Sequence, residues 1–150
     1  MKPRKIPHKS KSEVAKAKDR IQSLLRQIVI LRDGGCVLRD YPSAGDCGGY
    51  RNDGNLILQA EHLVTRARSV SYADTRNVVC LCRHHHRHWK PQNSRLYWEI
   101  IEKVIGPKRW TWIKRVEADR KSYQFNLSDW IKEEIALTHE LQALQSGGNS

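Results

Sequence analysis

Two stretches decide the fold: Leu56-Ile57-Leu58-Gln59-Ala60-Glu61-His62, then Asn77-Val78-Val79-Cys80-Leu81-Cys82-Arg83-His84-His85-His86. Each opens on a short apolar run and closes on side chains that bind metals or move protons. Such runs, bounded by turn-prone residues, predict strands. The first strand is expected to end at Glu61-His62. Residues 77–81 begin a second strand or turn, and 83–89 read as a helix closed by Pro91. The order is strand, loop, strand, helix, with chemistry at each strand end.

Upstream, Ser10 and Glu13 have capping-box spacing. Ile21, Leu24, Leu25, Ile28 and Leu31 then recur on one helical face, and Asp33-Gly34-Gly35 stops the pattern. A long helix over 12–32 is predicted. Residues 34–55, rich in Gly, Asp and Pro, read as an irregular loop carrying Cys36 and Cys47, and 63–76 as a polar, Arg-containing loop. Downstream, three helical patterns follow. One runs over 94–105 with Trp98, Ile101 and Ile105. The next runs from Pro107 to about 122 with Trp110, Ile113 and Val116. The last starts after Ser128 with a stripe of Ile131, Ile135 and Leu141. Trp98, Trp110 and Trp130 fall on apolar faces and are expected in the core. The chain divides into a basic disordered arm (1–11), an N-terminal helix (12–33), a core (34–93), a C-terminal helical region (94–145) and a disordered tail (146–150). The C-terminal helices either pack on their own core or clasp a second subunit, so a homodimer stays open.

The formal charge is +11 over 150 residues, the electrostatic footprint of a polyanion binder. The excess is uneven: +6 over residues 1–20, +4 over 21–90 and +1 over 91–150. No apolar run approaches the roughly 18 residues of a membrane span. The N-terminus lacks the apolar segment of a secretory signal. The expected compartment is therefore cytoplasmic and reducing, where four cysteines interleaved with histidines fit a metal better than disulfides.

Cys82 and His85 are spaced as the compact half of a tetrahedral zinc site. Cys36 and Cys47 are the earlier cysteines, ten residues apart, and a long insertion between ligands is acceptable because loop-closure cost grows slowly with length. Gly48-Gly49 would supply a tight turn. The expected site is structural zinc on Cys36, Cys47, Cys82 and His85. Cys80 is an alternative ligand in place of Cys82 or Cys36, or else a small buried strand residue.

His62, with an imidazole that titrates near neutrality, suits a general base. Glu61 and His86 would hold one divalent cation, Mg²⁺ or Mn²⁺, with His88 in reserve. Asn77 would fix the loop between the strands or orient His62. Arg66, Arg68 and Lys90 would meet DNA phosphates. The run of His84, His85, His86 and His88 leaves the register of the two metals open.

On these residues, Ala60-Glu61-His62, Thr75-Arg76-Asn77 and Cys80 to Asn93, the chain resembles the His–Asn–His endonucleases. Over about 12–145 it is similar to phage recombination endonucleases of the NinG (Rap) type. The resemblance implies an α+β fold: a small ββα-metal (His-Me finger) core with a zinc knuckle, flanked by an N-terminal helix and C-terminal helices. It also implies metal-dependent hydrolysis of DNA phosphodiesters, acting on duplex or branched substrates such as Holliday junctions inside a bacterial host. The chain departs from the family at the wide first cysteine pair, at His85, at Glu61 and at His86. Competing readings are a zinc-stabilised DNA-binding protein without catalysis, an RNA-binding or RNA-cutting module, and a nuclease of packaging or restriction.

Overall fold

The computed structural model describes residues 11–119, 121 and 123–147. The expected basic arm, but for Lys11, lies outside these residues, as do the last three of the tail. Within them the fold is α+β, with six α-helical segments and one two-stranded antiparallel sheet.

Helix α1 (Glu13–Asp33) starts two residues later than the capping box suggested. Ser12, not Ser10, is its N-cap and accepts from the Ala15 amide at 3.2 Å, which satisfies one of the orphan donors of the first turn. Gly34 ends it in the left-handed conformation, φ 69°. Its buried stripe is Ala17, Ile21, Leu25, Ile28 and Val29, while Leu31 is half exposed.

Strand β1 (Leu58–His62) pairs with β2 (Val78–Cys82), Ala60 opposite Cys80 and His62 opposite Val78. All of β2 is buried, because helices cover both of its faces. Val78 and Cys80 pack into a first core with α1, Tyr72 and Trp130, Leu137 and Leu141 of α6 (Leu127–Gly147). Val79, Leu81 and Cys82 pack into a second core with Leu38, Leu63, Tyr97, Ile100, Ile101 and Ile113. The latter residues bring in α4 (Ser94–Ile105) and α5 (Pro107–Ala118). The outer edge of β2 is capped at Cys80: its N–H donates to Asp33 Oδ2 at 2.9 Å and its carbonyl accepts from the Val37 N–H at 2.9 Å. A bare strand edge is thereby removed.

The 63–76 segment is more structured than a polar loop. It holds the short helix α2 (Ser69–Tyr72) and a 3₁₀ turn, Thr75–Asn77. The residues after β2 form a π-helical turn, His85–Trp89, that runs into α3 (Lys90–Gln92). Pro91 does not close this segment. It sits in the first turn of α3, where a missing N–H leaves no bond unmade. In α6 the buried stripe is Trp130, Leu137 and Leu141, and Ile135 is exposed because α1 covers a different face. Trp98 and Trp110 are half buried against the second core and Trp130 is fully buried in the first. α6 packs on α1 of its own chain.

Candidate metal centre and adjoining cleft

Cys36, Cys47, Cys82 and His85 converge, with their donor atoms all within 4.8 Å of one another. His85 Nδ1 lies 3.4 Å from Cys36 Sγ, 3.8 Å from Cys47 Sγ and 3.2 Å from Cys82 Sγ. The edges of a zinc tetrahedron with bonds of 2.0–2.3 Å are about 3.5–3.8 Å. The four groups thus stand near the spacing that a metal such as zinc requires, and they can hold one. His85 Nε2 donates to the Ala44 carbonyl at 2.9 Å, which fixes the tautomer that leaves Nδ1 free to ligate. Burial raises the Cys36 and Cys47 thiols above their ordinary range, and for Cys47 the neighbouring Cys36 and Cys82 add to the effect. A metal that binds here must displace those protons. Cys80 stands apart, buried in the first core, its thiol pushed up to about 12 by burial and by Asp33. Among the described residues this is the one such cluster of His, Cys, Asp or Glu.

The local chain makes this geometry. The Gly48 carbonyl accepts from the His84 N–H at 3.1 Å and the Gly49 carbonyl from the Ile57 N–H at 2.8 Å. Gly49 has φ +85°, and a Cβ there would stand 2.7 Å from Arg83 Cβ, so the close approach requires glycine. The π-helical turn, closed by the Lys90 N–H on the His85 carbonyl, sets the histidine register. It turns His85 to the thiols and His86 to Glu61, while His88 stacks on His84 with ring centroids 6.0 Å apart.

Beside the cluster lies an open cleft of about 600 Å³. It is lined by Glu61, His62, Arg66 and His86, and also by Gln22, Ser23 and Arg26 of α1. Glu61 is only 6% exposed. Its Oε2 accepts from His86 Nε2 at 2.6 Å, and its Oε1 is paired with the Lys90 ammonium. His86 Nδ1 lies 2.6 Å from Gln59 Oε1. Burial lowers His86, with Arg87 and Arg66 acting in the same direction, and burial lowers Lys90 too. Lys90, expected to face DNA phosphate, is instead half buried against Glu61, with its ammonium 5.0 Å from the centre of the Tyr97 ring. His88 is not among the residues lining the cleft.

His62 Nε2 donates to the Tyr72 carbonyl at 2.8 Å. That bond assigns the remaining lone pair to Nδ1. Burial pulls His62 below its ordinary value of 6.5; the Tyr72 carbonyl opposes this and Arg66 adds to it. Asn77 is fully buried and lies behind the cleft wall. Its Oδ1 accepts from the Val64 N–H at 2.6 Å, and its Nδ2 donates to the carbonyls of Val64 at 3.1 Å and Ser71 at 3.0 Å. The amide pins the loop after His62 rather than touching the imidazole. Arg66 is exposed in the cleft wall, whereas Arg68 turns away and donates to the Asp119 carbonyl.

Sequence reasoning did not find Gln59, Lys90 as partner of Glu61, the Tyr72 carbonyl or the α1 wall. Signals for three existed. Gln59 shares a strand face with Glu61, Lys90 lies one helical turn after His86, and Gln22 and Arg26 form a polar row beside the apolar stripe. No protein-family model, no curated protein and no solved structure matches the chain.

Proposed function

We propose that the protein is a DNA endonuclease of the His–Asn–His type that uses a divalent cation, its core held by structural zinc on the Cys36, Cys47, Cys82 and His85 cluster. The observation that carries this reading is the meeting of Glu61, His62 and His86 in one open cleft, with Asn77 locking the loop beneath. A buried carboxylate next to an imidazole is a donor pair suited to Mg²⁺ or Mn²⁺, which when bound would supply charge stabilisation for the phosphorane transition state. His62 supplies the proton acceptor: with Nε2 committed to Tyr72, Nδ1 takes a proton from the attacking water. Arg66, Arg26 and Arg87 line the cleft and attract the phosphates on either side of the scissile bond. Cutting of branched recombination intermediates is the narrower expectation.

Incubation with linear duplex, nicked, single-stranded and four-way-junction DNA, in Mg²⁺, Mn²⁺ or EDTA, tests both levels. Metal-dependent cleavage is expected. No cleavage of any substrate overturns the nuclease, and equal cleavage of all four overturns a preference for branches. One observation favours a second reading, a DNA-binding protein without catalysis: the Lys90 ammonium already pairs with one oxygen of Glu61, and His86 hydrogen-bonds the other. Tight DNA binding with no cleavage in any metal would select it.

A further inference from the structure

On the far side of the 65–68 loop from the cleft lies a second cavity, of about 360 Å³, between that loop and the end of α5. Its walls are of three kinds. Arg68, Arg115 and Lys121 bring positive charge, Val70 and Val116 bring apolar surface, and Tyr123 brings an aromatic ring. Tyr123 is 51% exposed and Val70 50%, so both offer their faces to whatever enters. The one acid among the described residues of the wall, Asp119, has its carboxylate on the Lys121 N–H and its carbonyl on Arg68. The volume lies within the ordinary range for a small ligand site, at its lower end.

We propose that this cavity receives one unpaired nucleotide of the DNA strand engaged in the cleft, its base against Tyr123, Val70 and Val116 and its phosphate on Arg115 and Lys121. Cations beside an aromatic and apolar face are what an unstacked base with its phosphate requires, since every base has a π-face and each phosphate a charge. The position supports a strand rather than a free nucleotide. Thr65 and Arg66 line the cleft, and the next two residues, Ala67 and Arg68, line the cavity, so one short loop separates the two. Beyond Arg115 the positive surface continues along α5 to Lys108 and across to Arg76 of the Thr75–Asn77 turn, whose guanidinium lies 4.0 Å over the Trp112 ring. The near balance of charge over 91–150 conceals this segregation: the cations gather on α5.

This inference rests on the nucleic-acid reading above, and the test separates the two. Binding is measured by fluorescence anisotropy on a blunt duplex, the same duplex with a three-nucleotide single-stranded gap, and the same gap with abasic sites, using the wild type, Tyr123→Ala and Arg115→Ala. Free thymidine monophosphate serves as competitor. Both side chains are exposed, so both variants are expected to fold. The gapped duplex is expected to bind about five-fold or more tighter than the blunt one. That advantage should vanish with abasic sites and in Tyr123→Ala, with blunt-duplex affinity unchanged. Equal binding of blunt, gapped and abasic DNA overturns the cavity and leaves the nuclease reading standing. Competition by thymidine monophosphate at micromolar concentration makes the cavity a small-molecule site and overturns the strand assignment. Binding to no DNA at all removes both.

Discussion

At the scale of single residues, His62 and Asn77 divide a task that the sequence presents as one motif. As the proposed base His62 would act only as neutral imidazole, and burial lowers its proton affinity below the ordinary 6.5. The base form therefore persists into mildly acidic solution. The rate of cleavage should rise with pH and inflect below pH 6.5, and a limb that inflects above that value would count against His62 as the base. His62→Ala should lose about 10²-fold or more of the rate with an unchanged circular dichroism spectrum. Asn77 is different in kind. Its three hydrogen bonds are all to backbone and all buried. Asn77→Ala should cost about 2–4 kcal/mol of stability, read as a lowered urea midpoint, as well as activity. A variant with full stability and no activity would move Asn77 from the loop to the chemistry. The residue types and order of the motif were legible in the sequence. The roles were less so: the Tyr72 carbonyl and the burial of Lys90 depend on backbone positions that no spacing rule supplies.

At the scale of elements, the glycine turn and the histidine turn are one device. Gly48-Gly49 lies against Arg83 and His84, so the loop bearing Cys47 and the turn bearing His85 are held together before any metal arrives. Gly49→Ala brings a Cβ within 2.7 Å of Arg83 Cβ at a φ of +85° and should cost about 1–3 kcal/mol, with weaker zinc retention. Gly54→Ala, at φ +83° with nothing within 4 Å of its Cβ, isolates the backbone part of that cost. Comparing the two melting temperatures and zinc contents checks the argument, and equal losses would sink it. Every long helix was legible because a 3.6-residue period survives in a single sequence. Which apolar residues end up inside was less so. Leu31 and Ile135 satisfy the period yet stand exposed, because α1 and α6 pack on each other along stripes shifted from those the period selects. The π-helical turn carries no periodic signature at all, and it alone settles the histidine register.

At the scale of the whole molecule, two cores share one strand but only the second borders the metal cluster. Cys36, Cys82 and half-buried Cys47 pack within it, and Trp89 meets the His85 ring edge-on at 5.7 Å. Structural zinc contributes an apparent ~10–16 kcal/mol, as large as the whole stability of a domain. Chelation should therefore unfold the second core, shifting the emission of Trp89, Trp98, Trp110 and Trp112 to the red. α1 and α6, joined by the first core and by the Arg20–Glu134 pair at 2.7 Å, should keep part of the helical signal. A chelated protein whose emission does not move would show that the cluster is not structural. The charge excess in the sequence pointed to a polyanion. It did not reveal the basic face of α5, because the acids of α6 cancel it in the sum.

Arg32 from α1 and Arg109 from α5 reach the same two carbonyls, those of Thr75 and Val78, at either end of Asn77. Burial, with Arg32 close by, draws Arg109 down to about 10. Two guanidiniums so placed act as a clasp that needs both arms. The motif-bearing segment is consequently not a transplantable cassette. Residues 34–93 grafted into a foreign host would carry every named motif residue yet leave behind both halves of the clasp and the α1 wall of the cleft. A working miniature has to begin no later than α1 and run through α5.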